Sequence, residues 1–95
     1  MLKWSETALA DVVRLRQFIE TENPTAARRA AEALKKGAER LLDHPGLGRR
    51  LTGRQDRELD IPFGKHGYVM RYRLDGDDIL ILKIWHSLEK RNQED

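Results

Sequence analysis

The stretch Gly67 to His86, GYVMRYRLDGDDILILKIWH, limits what this chain can fold into more than any other part of it. Two runs rich in β-branched and aromatic residues flank Asp75-Gly76-Asp77-Asp78, and Asp-Gly between such runs is a strong hairpin signal. A turn at Asp75-Gly76 sets Arg73 opposite Asp78, whereas a turn at Gly76-Asp77 slides the register by two residues. Both registers have the same parity, so both sort the side chains to the same faces. One face carries Tyr68, Met70, Tyr72, Leu74, Ile79, Ile81 and Trp85, broken only by Lys83. The other carries Val69, Arg71, Arg73, Leu80, Leu82, Ile84 and His86.

The first face is apolar enough to be the core side of a sheet. The second mixes aliphatic residues with two arginines and a histidine. Ile79 to Leu82 is apolar on both sides, which suits a central strand covered twice. Something other than water is therefore expected over Leu80, Leu82 and Ile84. Either the chain's own loop covers them, through Leu47 or Leu51, or they line a groove for a partner segment paired to Arg71 and Arg73.

Ninety-five residues form one domain, 1–95, with a core large enough to fold alone. Lys plus Arg number 18 against 16 Asp plus Glu, a net charge of +2, and neither half is a basic arm. Bulk charge gives no argument for nucleic-acid binding; that would need local clustering of positive charge. No cysteine is present, which excludes disulfides and thiolate metal sites and fits a reducing cytoplasm. No apolar run approaches the roughly 18 residues of a membrane span, and no signal-peptide core is found, so a soluble, cytoplasmic protein is expected.

In chain order, Met1 to Trp4 reads as an edge strand pairing with the later sheet. Ser5 is a helix cap with Glu6 near the positive helix end. Ala8, Val12, Leu15 and Ile19, widened by Leu9, Val13 and Phe18, form the apolar stripe of a helix ending near Glu22. Asn23-Pro24 caps and opens a second helix to Asp43, with Ala27, Ala30, Ala31, Leu34, Ala38 and Leu41 on its stripe and Leu42 beside it. The short connector implies an antiparallel helical hairpin, stopped by His44-Pro45-Gly46. Leu47 to Arg57 reads as an Arg-rich loop, and Glu58 to Phe63 as a strand with Pro62 at its end or on an unpaired edge. The polar tail 87–95 reads as a frayed turn or short helix. The order β-α-α-β-β-β gives an α+β domain: an N-terminal strand, a helical hairpin, then a mostly antiparallel three-stranded sheet.

His44, His66 and His86 are far apart in sequence and lack metal-ligand spacing, so no metal and no cofactor are expected. No phosphate-cradling loop or nucleophile elbow occurs. Arg71, Arg73, His86, Lys90 and Arg91 are the residues that the hairpin could gather for RNA cleavage. Such cleavage needs an acid, a base and cations around the phosphate. Their plainer reading is a solvated rim, with Arg73 paired to an acidic turn residue.

The chain resembles the RelE/ParE superfamily of bacterial type II toxins over nearly its whole length. The likeness lies in KWSETALADVVRLRQFI, ENPTAARRAAEAL and HPGLGRRL, and in RELDIPFGKHGYVMRYRLDGDDILILKIWHSLEKR. The resemblance implies one of two activities: metal-free mRNA cleavage on the ribosome in RelE-like members, or poisoning of DNA gyrase in non-catalytic ParE-like members. It also implies a cognate antitoxin that wraps the toxin in a hetero-oligomer. Antitoxin contacts are then expected at Val69, Arg71, Arg73, Leu80, Leu82 and Ile84, and target contacts at Trp85, His86, Lys90 and Arg91. RelE-like nucleases usually carry an arginine where this chain has Val69, and an aliphatic side chain cannot stabilise the charge on a scissile phosphate. They also tend to place a tyrosine after the last strand, where here nothing aromatic follows Trp85. The Trp4-Ser5 opening and the Asn23-Pro24 junction are likewise more ParE-like. The expectation is therefore a toxin without catalytic residues, with ribosome-dependent RNA cleavage by the Arg/His/Lys set as the alternative.

Overall fold

The protein is described by a computed structural model over residues 1–20 and 23–89. Its elements are β1 (Leu2–Trp4), α1 (Glu6–Glu20), α2 (Pro24–Asp43), β2 (Arg49–Arg50), β3 (Arg57–Phe63), β4 (His66–Asp75) and β5 (Asp78–His86). They build one five-stranded sheet in the order β1-β5-β4-β3-β2. The chain belongs to the α+β class, with a wider sheet than three strands. β1 joins β5 in parallel, and the stretch expected to be loop contributes β2, which pairs Arg49 and Arg50 with Glu58 and Arg57.

Both helix starts follow the local chemistry. The Ser5 hydroxyl accepts from the Ala8 N–H at 3.0 Å, and the Asn23 carboxamide from the Ala26 N–H at 3.0 Å, each occupying an orphan donor of a first turn. Beyond Glu20 the expected end of α1 falls on residues 21 and 22, outside the described residues. Leu15 and Ala8 of α1 join Ala30, Leu34, Ala38 and Leu41 of α2 over Leu59, Ile61, Tyr68, Met70, Tyr72, Ile79 and Ile81. α2 approaches β3 so closely that a Cβ on Gly37 would lie 2.7 Å from the Ile61 side chain. The apolar stripe of α1 is narrower than expected, since Leu9, Val13 and Phe18 are exposed.

The hairpin turns at Gly76-Asp77, with Asp75 opposite Asp78 and Gly76 at φ +61°. A left-handed conformation at this point is what glycine permits without a Cβ clash. The ladder then runs Leu74 to Ile79, Arg73 to Leu80 and Tyr72 to Ile81, but next pairs Arg71 with Lys83. Leu82 is the extra residue of a β-bulge, which reverses the sidedness of everything after it. The two-face assignment from strict alternation is therefore corrected beyond Ile81. Ile84, opposite Met70, lies in the core at 1% exposure, and His86, opposite Tyr68, follows it to the helix side. Lys83 and Trp85 go to the outer face, which explains why Lys83 broke the pattern.

The bulge falls where β1 ends and α1 takes over the sheet edge. Ser5 N–H donates to the Ile81 carbonyl, and the Ser5 hydroxyl to the Leu82 carbonyl at 2.9 Å. Asp11 then accepts from the Ile84 N–H at 2.9 Å, and Glu89 from the His86 N–H at 2.7 Å. Side chains thus satisfy backbone groups that a longer β1 would have paired.

Candidate functional site

Two regions hold the residues expected to act, and the sheet separates them. On the outer face, alternation along β3, β4 and β5 brings Glu58, Arg71, Lys83, Val69 and Trp85 together. Arg71 donates to Glu58 Oε2 from Nε at 3.1 Å and from Nη2 at 2.7 Å, with both side chains under a tenth exposed. Its guanidinium carbon lies 5.3 Å from the centroid of the Trp85 ring, a cation–π distance. Arg49 extends the network to Glu58 Oε1 at 3.2 Å and to Asp60 at 2.8 Å. At the end of the face, Arg73 Nε and Nη2 each lie 2.8 Å from Oδ1 of Asp56, whose other oxygen takes Arg54 at 2.5 Å. Asp56 is 1% exposed.

This changes the expected groove. Ile84 is a core residue, and Arg71 and Arg73 already hold buried carboxylates. Only Val69, Leu80 and Leu82 of that set remain, all half-buried. The expected acidic partner of Arg73 is Asp56 of the β2–β3 loop rather than a residue of the hairpin turn.

On the helix side, the far ends of β3, β4 and β5 meet the last turns of α1. The His86 ring stands edge-on to Tyr68 at 5.5 Å and to His66 at 5.9 Å, and Phe63 lies 5.9 Å from Tyr68. His86 Nδ1 accepts the Leu88 N–H at 3.1 Å, so the neutral ring carries its proton on Nε2. Burial pushes the Tyr68 hydroxyl above its usual range, and the charge of Glu89 pushes it the same way. Arg14 closes the rim by donating to Glu89 Oε2 at 2.6 Å. Between α1 and these strand ends lies a groove of about 710 Å³, floored by Leu15, Ile19, Phe63 and Tyr68. Phe18 and Leu88 flank it at 77% and 66% exposure. A second concavity, about 520 Å³, is only the curl of the loop from Arg50 to Gln55.

Of the five residues named for RNA cleavage, the three described ones do not converge. Arg71 and Arg73 lie on the outer face and His86 on the helix face, while Lys90 and Arg91 fall outside the described residues. For the same reason Trp85 and His86, expected together at a target, point to opposite sides. His66 and His86, remote in sequence, are neighbours in space, but among the described residues no group of three or more possible metal ligands is gathered. No helix there is long and apolar enough to cross a membrane. Asp56, Glu58 and the Phe18–Leu88 groove were not singled out from the sequence. Glu58 was visible in principle, because β3 alternation places it on the face opposite Leu59 and Ile61. Asp56 sits in a loop and gave no periodic signal.

Residues 2–91 match the family described as the ParE toxin of the type II toxin–antitoxin system parDE. The chain belongs to this family. Among relatives, the ParE-family chain is 43% identical over 84 residues to Toxin RelE3 of Caulobacter vibrioides, covering 88% of this chain and 90% of that protein. Toxin RelE1 of the same organism is 39% identical over 87 residues, covering 92% of each. The fold is shared with the chromosomal ParDE system of P. aeruginosa, at a TM-score of 0.75 and 24% identity over 90% of this chain and 92% of that one. It is also shared with the E. coli RelBE toxin–antitoxin complex, at 0.63 and 18% over 95% and 98%. The ParE-family chain is thus a toxin of a type II toxin–antitoxin system, and its relatives carry both RelE and ParE names.

Proposed function

We propose that this toxin acts without catalysis, by binding DNA gyrase, and that its antitoxin silences it by seating an apolar segment in the groove beside Phe18 and Leu88. The observation that carries the first half is the separation of His86 from Arg71 and Arg73 across the sheet. Metal-free cleavage of RNA needs proton-transfer groups and cations converging on one phosphate. Here the two arginines of β4 are held by buried carboxylates on one face and the histidine lies on the other. Val69, at the position where nucleases of the superfamily usually carry arginine, adds no charge. The choice of gyrase rests on the family resemblance.

A second reading, ribosome-dependent mRNA cleavage, is favoured by the RelE names of the Caulobacter relatives. One pair of assays separates the two. Purified toxin is expected to inhibit gyrase supercoiling and accumulate cleaved DNA–gyrase complexes, while primer extension on translated mRNA shows no new 5′ ends. Codon-positioned cleavage of translated mRNA, abolished by His86→Ala and accompanied by normal gyrase activity, would reverse the assignment.

A further inference from the structure

Bulk charge says little about this chain, yet its charges are unevenly used. Most arginines of the sheet, its loops and α1 have partners: Arg14, Arg16, Arg49, Arg54, Arg71 and Arg73 all sit in ion pairs. α2 is different. Its period of 3.6 buries Ala30, Leu34, Gly37 and Leu41 and leaves Arg29, Lys36 and Arg40 in one row along the exposed side. Each is exposed, and among the described residues none is in an ion pair. The acids of α2, Glu32, Glu39 and Asp43, share a neighbouring row, and none reaches ion-pair distance of the stripe.

The position of the row follows from the packing. Gly37 rests on Ile61 of β3, and half-buried Ala33 lies between Gly37 and the row. The stripe therefore runs along the β3 side of the molecule. α2 is antiparallel to β3: Gly37 meets Ile61, while beyond the end of α2 the Gly46 and Gly48 carbonyls accept from Arg57. This places exposed Arg50, opposite Arg57 in the sheet, at the Arg40 end, and exposed Lys65, in the β3–β4 turn, at the Arg29 end. At about 1.5 Å per residue, Arg29 to Arg40 alone spans about 16 Å.

We propose that this stripe, Lys65–Arg29–Lys36–Arg40–Arg50, is a contact surface for the phosphate backbone of duplex DNA. A nucleic-acid backbone is favoured over an acidic protein because the row holds no aromatic or large aliphatic anchor, only Ala26 and Ala33 beside it. A protein interface is built around a dry apolar centre with charges at the rim. A phosphate backbone demands only positioned cations and offers about one charge per 1.7 Å of duplex axis. The inference rests on the gyrase reading only for choosing duplex DNA over RNA.

The test uses the purified chain and a fluorescently labelled 20-base-pair duplex, read by anisotropy at several salt concentrations without gyrase. Binding is expected with a log–log salt slope between about −3 and −5, for three to five phosphates neutralised. The variant Arg29→Gln/Lys36→Gln/Arg40→Gln should make that slope shallower by about 3 at an unchanged circular dichroism spectrum. A charge-matched variant, Lys3→Gln/Arg16→Gln/Arg49→Gln, should leave most of it. No binding at low salt, or equal losses in the two variants, overturns the proposal. So does tighter binding of an RNA hairpin, or of poly-L-glutamate, which would reveal a site for a different partner or for none. A chain that binds duplex through the stripe yet leaves gyrase supercoiling untouched would sink the gyrase reading and leave the stripe standing.

Discussion

Arg71 and Glu58 occupy a place where neither tolerates loss of the other. Both side chains are almost fully withdrawn from water, and the Trp85 ring lies against the guanidinium. Taking either partner away breaks a bond between two buried charges, which costs up to about 3–5 kcal/mol, softened at Glu58 by the Arg49 contact at 3.2 Å, whereas replacing both with apolar side chains is often close to neutral. Arg71→Leu alone is therefore expected to lower unfolding free energy in urea by roughly that amount. The double variant Arg71→Leu/Glu58→Leu should recover most of the loss. A single variant as stable as the parent would show that the pair is hydrated and that Arg71 can be released toward a phosphate, which would reopen the nuclease reading. The same pairing is what residue types alone left open at this site. Arginines on a strand next to a histidine suggest phosphate chemistry until their buried carboxylate partners come into view.

At the scale of elements, the bulge at Leu82 decides which residues are core. It predicts an ordering that strict alternation reverses. Ile84→Ala removes a side chain packed opposite Met70 inside the core and should cost about 2–5 kcal/mol, while half-buried Leu82→Ala should cost clearly less. Urea unfolding of the two variants checks this, and a larger loss at Leu82 would restore the unbulged ladder. The helical hairpin, its caps, a hairpin turn at Gly76 and the order of the main strands along the chain were legible, because each rests on a local pattern of period 3.6 or 2 or on a capping or turn residue, while the choice between Asp75-Gly76 and Gly76-Asp77 for the turn stayed open. The bulge was not, since it is set by a long-range event: β1 ends opposite Ile81 and α1 takes over the edge of β5. Lys83 on an otherwise apolar face was its one trace. β2 escaped for a similar reason, as two exposed arginines carry no periodic signal of their own.

For the whole molecule, the two sides of the sheet divide the remaining labour. The outer side closes on itself through charge pairs, so it offers a partner little apolar surface. The helix side is open at one end, where Phe18 and Leu88 stand in water on either side of an apolar floor. Exposed large side chains flanking such a groove mark an interaction site, and in a type II toxin the obligatory partner is the antitoxin. Because both side chains are already solvated in the free chain, removing them should leave folding stability within about 0.5 kcal/mol. Phe18→Ser/Leu88→Ser is therefore expected to unfold at the parent's urea midpoint, yet to bind its cognate antitoxin at least about tenfold more weakly, a loss of about 1.4 kcal/mol or more. Titration calorimetry on the refolded pair measures the second quantity. If affinity holds while stability drops, the groove belongs to this chain's own packing, and the antitoxin must cover another surface, with Val69, Leu80 and Leu82 of the outer face the next to test.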